Sequence, residues 1–532
     1  MSQFHQVSLT LLDLPVETLS EILGHLDVYE LVRARQICNY VREAIDSSSE
    51  LLYSIDLKYF NAIPDTLPAS DGTDVPALRQ SLRKSESAWQ NAQYSSNILD
   101  PIPCPFVYRW SSGVLGFPRE QLQQITFLQP QPSDGHSSAP TLCQWSCQVD
   151  SEVSHFNFSP AQDLLILLTS APRGANHAFD VSFRSLSENN VHPEAASAVI
   201  KALDNEVDFE FSDPYARKSS IFGDFYGVLF TNVDRAHDGE AADILQIWNW
   251  KTKDAFQCIE ALDPACETMD FSFLTNDKLL VANARELSLY SLVHSSNSLQ
   301  LTAKFSLPPL RYSSEYKYFN FNPIPFPAQT HNQIITFSMN ILGGPVYGMP
   351  FFTFFIERNT LLELELNYTS RYGKATEDSP SLPWSSWGPN HTRSFEDHFP
   401  DPCKHSISGF RSVSLVGDRD SERESRSLCI RDFNPHRVAD FKAGYGSRLN
   451  QRLIEGETTT NSDLFLEPLG SGLPYLETIT KEKFVATDMN MEANRVTLMT
   501  FEMRRTITKP QAGQEGSVEF TALQGFEVLD FQ

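Results

Sequence analysis

The residues of this chain whose types could bind a peptide or another ligand are concentrated in one short segment, 383–395, with the sequence PWSSWGPNHTRSF. Trp384 and Trp387 precede a Gly-Pro turn, and Arg393 follows it. Tryptophan and arginine dominate the binding energy of protein interfaces, so these three residues are our candidates for contact with a target protein. The alternative is that both indoles pack under a loop while Arg393 pairs with a carboxylate, because tryptophan more often serves packing.

No arrangement of residues in the sequence predicts catalysis. The sequence contains no GxSxG turn, phosphate-binding loop, HExxH helix or kinase signature. Asp and Glu are plentiful, but their spacing singles out no pair, so we expect no catalytic residue and no cofactor. Cys143 and Cys147 form a CxxxC pair without a second Cys/His pair at zinc-binding spacing, and the sequence therefore predicts no metal site.

Composition indicates a folded protein inside the cell. The chain has 532 residues, 41% of them hydrophobic, and its formal net charge is −25. Binding to phosphate backbones or anionic membranes depends on Lys and Arg, so the acidic balance argues against nucleic acid and membranes as partners. The N-terminus lacks the pattern of a signal peptide, and no apolar run is long enough to span a bilayer. We expect a location in the cytoplasm, the nucleus or both.

The elements that would position a binding surface begin with three short helices at the N-terminus. The first helix has apolar residues at helical spacing, namely Leu19, Ile22, Leu23 and Leu26. Asp13 can cap this helix and Asp27 the second, Val28–Gln36, and a third is predicted at about Asn39–Ser47. A unit of ~40 residues is too small to bury all these apolar side chains, so part of the apolar surface is expected to belong to a partner.

A linker and one further helix follow. Asn61–Pro76 is rich in Pro, Asp, Ser and Gly, a composition typical of an exposed connection. Val75–Gln93 has Leu78, Leu82 and Trp89 on one face of a predicted helix. We expect this helix to pack on the large domain through Trp89.

From about Cys104 the apolar pattern changes to period two, which predicts β-strands. Hairpins are expected in Ile244–Ile259, Ile334–Leu366 and Arg411–Phe433, and the loop Gly417–Ser427 is expected to be a solvated hairpin tip. The number of short strands predicts a large all-β domain, a degenerate β-propeller of about six to eight blades. A pair of β-sandwiches is the alternative.

The N-terminal segment resembles the F-box, the helical module through which substrate receptors dock onto a Skp-type adaptor in cullin-based ubiquitin ligases. The resemblance rests on Leu14, Pro15, Glu17, Leu19, Ile22, Leu23, Leu26, Leu31, Arg33, Ile37, Cys38 and the apolar Val41. It implies an adaptor-binding surface formed by Leu14, Pro15, Glu17, Ile22, Leu23, Leu26 and Leu31.

Two later segments, FNFSPAQDLLILLTS at 156–170 and LQIWNWKTKDAFQCI at 245–259, resemble pieces of WD-type propeller blades. Together with the segment SGFRSVSL at 408–415, the tryptophan-rich segment and the helix ending in Ala88-Trp89, the organisation resembles the F-box domain-containing proteins of mushroom-forming fungi.

These resemblances imply a substrate receptor of a Skp–cullin–F-box ubiquitin ligase with no catalytic residues of its own. Residues 1–55 would be the F-box, residues 56–100 a linker with one helix, and residues 101–532 the domain that recognises a target protein. The partners would be the adaptor, a cullin through it, and an unidentified target. An F-box scaffold that acts outside ligases is one alternative, and a propeller hydrolase with a helical N-terminus is another.

Overall fold

The structure is a computed structural model, and it describes residues 11–62, 74–103, 108–119, 123–130, 142–203, 214–234, 241–252, 254–259, 268–311, 314–322, 332–343, 350–376, 378–397, 405–417, 425–445, 450–456, 464–467, 469–507 and 518–532. Most of the predicted linker Asn61–Pro76 and of the predicted hairpin tip Gly417–Ser427 lies outside these ranges.

Among the described residues, five helices precede the strands, and three lie between strands. In the described part of the chain they are α1 (Val16–Leu23), α2 (Val28–Ala34), α3 (Asn39–Ser47), α4 (Ser49–Phe60), α5 (Val75–Asn91), α6 (Arg358–Tyr372), α7 (Trp384–His391) and α8 (Pro435–Ala443). The predicted cap at Asp13 is wrong: Asp13 ends a 3-10 turn, and Pro15 occupies the N-cap of α1. The predicted cap of α2 is confirmed, since the Asp27 side chain accepts a hydrogen bond from the Glu30 backbone.

Four helices after α3, namely α4, α6, α7 and α8, were not predicted by the apolar pattern. Ser48 caps α4, and Asn434 caps α8 just before Pro435, which suits a first helical turn. The hairpin predicted over Ile334–Leu366 is correct only as far as Glu357. Beyond it the chain forms α6, because Leu361, Leu364 and Tyr368 follow helical rather than alternating spacing.

The strands form seven antiparallel sheets in the described residues. In chain order they are β1 (Ser95–Pro103), β2 (Arg109–Ser111), β3 (Val114–Arg119), β4 (Gln124–Pro130), β5 (Leu142–Gln148), β6 (Val153–Ser159), β7 (Leu164–Ser170), β8 (Phe179–Ser185), β9 (Val199–Ala202), β10 (Tyr215–Phe222), β11 (Phe225–Asp234), β12 (Ala241–Asn249), β13 (Ala255–Ile259), β14 (Thr268–Thr275), β15 (Lys278–Asn283), β16 (Glu286–Val293), β17 (Ser298–Ser306), β18 (Glu315–Phe321), β19 (Ile334–Leu342), β20 (Phe351–Glu357), β21 (Thr392–Asp397), β22 (Ser406–Ser408), β23 (Arg411–Val416), β24 (Arg426–Asp432), β25 (Gln451–Ile454), β26 (Tyr475–Phe484), β27 (Asp488–Met491), β28 (Arg495–Ile507) and β29 (Val518–Asp530).

Each sheet is one blade of a seven-bladed β-propeller. Blades 1 to 5 take four consecutive strands each, from β2–β5 to β18–β21, and blade 6 has the five strands β22–β26. The first strands of successive blades lie side by side, as β6 with β10 and β14 with β18, so they surround the central axis. The propeller prediction is confirmed, and the β-sandwich alternative is excluded by this ring.

The N-terminal strand closes the ring. Blade 7 has the order β1-β29-β28-β27, in which Ser95 pairs with Asp530 and Ile98 pairs with Glu527. Its outermost strand therefore comes directly from the segment after α5. Closure of a propeller in this way pairs an edge that would otherwise stay open.

Aromatic rings fill the space between and within the blades. Phe319, Phe337 and Phe354 stack in succession across blade 5, with ring centroids 5.3 and 5.1 Å apart. Phe222 of blade 3 stacks on Phe273 of blade 4. Of the 37 phenylalanines in the sequence, 25 are buried in the described part of the chain.

Each of the two segments that resemble WD-type blades lies in two adjacent strands of one blade. Residues 156–170 cover the second half of β6 and all of β7, the first two strands of blade 2. Residues 245–259 span most of β12 and all of β13, the last two strands of blade 3.

Candidate functional site

Helices α1–α4 pack around a small apolar core of their own. Its buried side chains are Leu19, Leu23, Leu31, Ala34, Val41, Ala44, Ile45 and Leu51. A reciprocal capping box fixes the turn between α1 and α2: the Glu30 amide donates to Asp27 Oδ1 at 2.8 Å, and the Asp27 amide donates to Glu30 Oε2 at 3.2 Å. The module is therefore folded without placing all of its apolar residues inside.

A group of large apolar side chains remains exposed on these helices, and we call it the exposed apolar set. Its members are 36–75% exposed, and they are Leu11, Leu12, Val16, Ile22, Leu26, Tyr29, Val32, Ile37 and Tyr40. Nine exposed large hydrophobic residues thus fall within residues 11–40, against ten in the rest of the described chain. Single exposed apolar residues are ordinary, but such a concentration is typical of a protein-binding surface.

Local contacts hold parts of this set in place. The Tyr40 hydroxyl donates to the Leu14 carbonyl at 2.8 Å and so fixes the chain just before α1. The Lys58 ammonium lies 5.7 Å from the centre of the Tyr29 ring. Because these contacts are made within the free chain, the surface is partly preorganised for a partner.

The residues implied as adaptor-binding divide into two groups. Pro15, Glu17, Ile22 and Leu26 are exposed and Leu14 is half-buried, so all five can reach a partner. Leu23 and Leu31 are only 4% and 2% exposed, and they belong to the core of the module. Their contribution to binding would be to support the surface rather than to form it.

Sequence reasoning missed seven members of the exposed apolar set, which are Leu11, Leu12, Val16, Tyr29, Val32, Ile37 and Tyr40. The signal was present, because apolar residues occur on more than one side of such short helices. The helical pattern alone could not assign which side faces inward, since a three-helix unit has no single buried stripe.

The candidate target-binding residues are buried. Trp384, Trp387 and Arg393 are 4%, 0% and 1% exposed. Trp387 Nε1 donates to the Ser306 carbonyl at 3.2 Å, and Gly388 leaves no room for a Cβ beside the Trp384 ring. The burial of both indoles agrees with the alternative that they serve packing. Trp387 contacts blade 4 through Ser306, and Trp384 lies against Phe354 of blade 5.

Arg393 is held by backbone and ring contacts rather than displayed. Its Nε donates to the Leu473 carbonyl at 2.8 Å, and its guanidinium lies 5.4 Å from the centre of the Tyr475 ring. Burial lowers the pKa of Arg393. Trp384 and Trp387 belong to the apolar core shared by blades 4 and 5, whereas Arg393 contacts blade 6 through Tyr475. All three present little surface to a target.

Polar and charged side chains on or beside the first strands of the propeller contact one another. Lys218 donates to Asp270 Oδ2 at 2.5 Å, and the Tyr108 hydroxyl donates to Asp488 Oδ2 at 2.5 Å. His155 lies 2.7 Å from Arg109, and burial lowers the pKa of this histidine to about 3, so it is neutral at physiological pH. Asp270 and Asp488 thus each accept a hydrogen bond from a neighbouring side chain, which gives both carboxylates a structural role.

The two cysteines of the CxxxC pair differ in burial. Cys143 is exposed on β5, whereas Cys147 is buried and burial raises the pKa of its thiol. Among the residues that the structure describes, no group of three or more His, Cys, Asp or Glu side chains is placed to hold a metal ion. Within the same residues, no helix has both the length and the apolar character needed to cross a membrane.

Known structures with some likeness to the chain include WD40 domains. The WD40 domain of Neurospora crassa Pan2 is 8% identical with a TM-score of 0.25, over 44% of this chain and 57% of that one. The C-terminal WD40 domain of Sif2 is 9% identical with a TM-score of 0.33, over 82% and 96%. Because such scores are too low to carry weight, the propeller rests on its own sheet topology. Among curated proteins, none matches the sequence.

One family model matches the chain, at the helices that carry the exposed apolar set. It is the F-box-like model, and the match covers residues 11–58, from the turn before α1 almost to the end of α4. Residues 11–58 are therefore an F-box-like domain, carried ahead of a seven-bladed β-propeller.

Proposed function

We propose that this chain is the substrate receptor of a Skp–cullin–F-box ubiquitin ligase. The F-box-like domain would bind a Skp-type adaptor and through it a cullin, and the propeller would bind a target protein. The observation that carries the proposal is the exposed apolar set within a matched F-box-like domain. The receptor would perform no chemistry, since holding the target near the ubiquitin-loaded enzyme raises the effective concentration.

The target would bind the propeller on the face away from the helices. The described contacts of α4 and α5 with the propeller lie near Asn332, Arg411, Asn434 and Asn494. These residues lie on one face of the propeller, where the first strand of a blade connects to the second strand or the third strand connects to the fourth. The opposite face carries the exposed Tyr215, Leu342 and Val485 at strand ends. Loops on a rigid scaffold commonly carry binding, and the contacts of α4 and α5 named above lie on the other face.

Co-purification tests the proposal. The full chain and a chain lacking residues 1–55 are each isolated from cells of the source organism, and their partners are identified by mass spectrometry. A ligase receptor retains the adaptor and a cullin only with residues 1–55 present, whereas a scaffold outside ligases retains the adaptor without a cullin. Identical partner sets for both chains would refute docking through the F-box-like domain.

The target face is tested separately. Replacing Tyr215 or Val485 by aspartate adds a charge at an exposed site and should remove target proteins while leaving the adaptor bound. The matched control is Leu366→Asp on α6, which is also exposed but lies outside that face. Loss of the same proteins in the control would count against recognition through that face.

A further inference from the structure

Four side chains meet near the central axis of the propeller, and we call them the axial cluster. They are Arg109 on β2, His155 on β6, and Lys218 and Ser219 on β10. These strands are the first strands of blades 1, 2 and 3, which surround the axis. The cluster therefore combines residues that lie far apart in the sequence, and no local pattern predicts it.

Short contacts join the cluster across the three blades. Arg109 Nη2 lies 2.7 Å from His155 Nε2, and the same His155 nitrogen lies 2.9 Å from Ser219 Oγ. Asn157 Nδ2 donates to Ser219 Oγ at 3.3 Å. Burial raises the pKa of Tyr226, on β11 of blade 3, to about 12, against the opposing effect of Ser219 and of the Arg109 guanidinium. Arg109 thus reaches from blade 1 to the inner side of blade 3.

The positive charge of Arg109 is not balanced by a carboxylate in the described part of the chain. The described hydrogen-bond contacts of its guanidinium are with His155, which is neutral because burial lowers its pKa to about 3. Burial also lowers the pKa of Arg109, and among the described groups the one that opposes this shift is the Tyr226 hydroxyl. A charge held deep in a protein without a counter-charge is costly, so an anion would be stabilised at this point.

Lys218 supplies a second cation in the same region. Its ammonium donates to Asp270 Oδ2 at 2.5 Å and to the Phe321 carbonyl at 3.0 Å. Burial lowers the pKa of Lys218, Asp270 opposes this shift, and the charge of Arg109 adds to it. Two cations therefore share the region with one carboxylate, in a chain whose formal net charge is −25.

The axial cluster can be reached from the face of the propeller away from α4 and α5. Arg109 is the first residue of β2 and His155 the third of β6, so both lie where the first strands begin. The described contacts of α4 and α5 lie on the opposite face, where first strands connect to second strands. Arg109 and His155 are only half-buried, and the Lys218 side chain is 19% exposed, so solvent reaches the cluster.

We infer that the central channel of the propeller binds a small oxyanion, of the size of inorganic phosphate or sulfate, at the guanidinium of Arg109. The planar fork of an arginine donates to two oxygens of such an anion at once. The Ser219 hydroxyl lies beside the fork, neutral His155 does not repel the anion, and Lys218 adds to the attraction. Low-dielectric walls of one sign of charge concentrate the opposite ion. The site goes beyond the proposed function and does not depend on adaptor binding.

The test is the melting temperature of the full chain in phosphate. Calorimetric scans in low millimolar sodium phosphate or sulfate are compared with scans in sodium chloride at the same pH and ionic strength. A ligand that binds the folded state raises the melting temperature as its concentration increases. We expect this rise with both oxyanions. Their general stabilising effect on proteins is shared by all variants, so differences between variants report the site.

Three variants assign the rise to Arg109. Arg109→Gln should bind phosphate at least roughly tenfold more weakly, the effect of losing charged hydrogen bonds, and should lose the rise. The matched control is Arg173→Gln, which removes an exposed arginine between β7 and β8 on the same face and should keep the full rise. If Arg109→Gln fails to fold, Arg109→Lys keeps the charge without the fork and should give a smaller rise.

A phosphate monoester such as phenyl phosphate identifies the source of the anion. A rise no larger than that with inorganic phosphate supports a free anion, whereas a much larger rise would overturn the assignment to a free anion. A native chain whose melting temperature depends on ionic strength alone, or an Arg109→Gln chain with the full rise, would overturn the site itself. Adaptor binding by these chains is read separately, so its loss would count against the proposed function and not against the anion site.

Discussion

At the scale of single residues, burial separates structural side chains from those available to a partner. Ile22 and Leu23 are neighbours in α1, yet Ile22 is exposed and Leu23 lies in the core of the module. A change at Leu23 would therefore weaken the fold and binding together. A change at Ile22 should report on binding alone.

Trp387→Ala tests the role of the tryptophan-rich segment. Since Trp387 is fully buried and bonded to the Ser306 carbonyl, its loss should cost about 3–5 kcal/mol and lower the melting temperature. Scanning calorimetry of this variant beside Leu366→Ala, an exposed apolar control, measures the effect. Unchanged melting with the loss of some co-purifying proteins would instead favour direct target recognition.

Asp56 predicts a pH dependence. Its folded pKa lies below the ordinary value of 3.8, so the stability that it contributes is present above 3.8 and is lost as the pH falls through the folded pKa. Denaturant titrations should find Asp56→Asn less stable than the native chain at neutral pH, with the difference shrinking below 3.8. A difference that stays constant down to the lowest pH would mean that the Arg79 and Arg83 contacts do not stabilise the fold.

At the scale of elements, the sequence predicts the N-terminal helices better than the helices that lie between strands of the propeller. Helix α3 has the predicted bounds, Asn39–Ser47, because its apolar residues and its flanks agree. Helix α6 was predicted as strand because it directly follows β20, whose residues Phe351–Glu357 have the β-branched and aromatic character of a buried strand. Helix α7 has Pro389 in its interior and no local signal strong enough to predict it.

At the candidate site, too, some residues could be predicted from the sequence and others could not. The resemblance to the F-box implied five of the accessible positions, such as Ile22 and Leu26. It could not identify Tyr29 or Ile37, because their exposure depends on how three helices pack together. It also could not place α5, since the contacts of Trp89 with Phe531 join residues at opposite ends of the chain.

At the scale of the whole molecule, the N-terminal segment serves two domains at once. Strand β1 closes the propeller, α5 is fixed to blades 6 and 7, and α4 completes the core of the F-box-like domain. The domain boundaries at residues 55 and 100 remain predictions. Because α4 and α5 contact the propeller, deletions that end before and after each boundary should be compared.

A series of N-terminal deletions measures this sharing. Chains lacking residues 1–47 or 1–60 should keep the strand signal in circular dichroism, because β1–β29 are intact. The second should melt at a lower temperature, since Arg79 and Arg83 lose Asp56 and Asp440 loses Tyr59. A chain lacking residues 1–103 also loses β1 and should unfold less cooperatively. Equal melting of all three would show that the segment does not stabilise the propeller.

The central claim is that the exposed apolar set binds a Skp-type adaptor. Its most direct test is a calorimetric titration of the purified full chain with the adaptor of its own organism. The native chain and the control Leu366→Glu should bind with the same affinity, whereas Ile22→Glu should lose at least roughly tenfold, because burying an unpaired charge at an interface is costly. All three melting profiles should agree, since both sites are exposed. Undiminished binding by Ile22→Glu, or no binding by the native chain, would contradict the account.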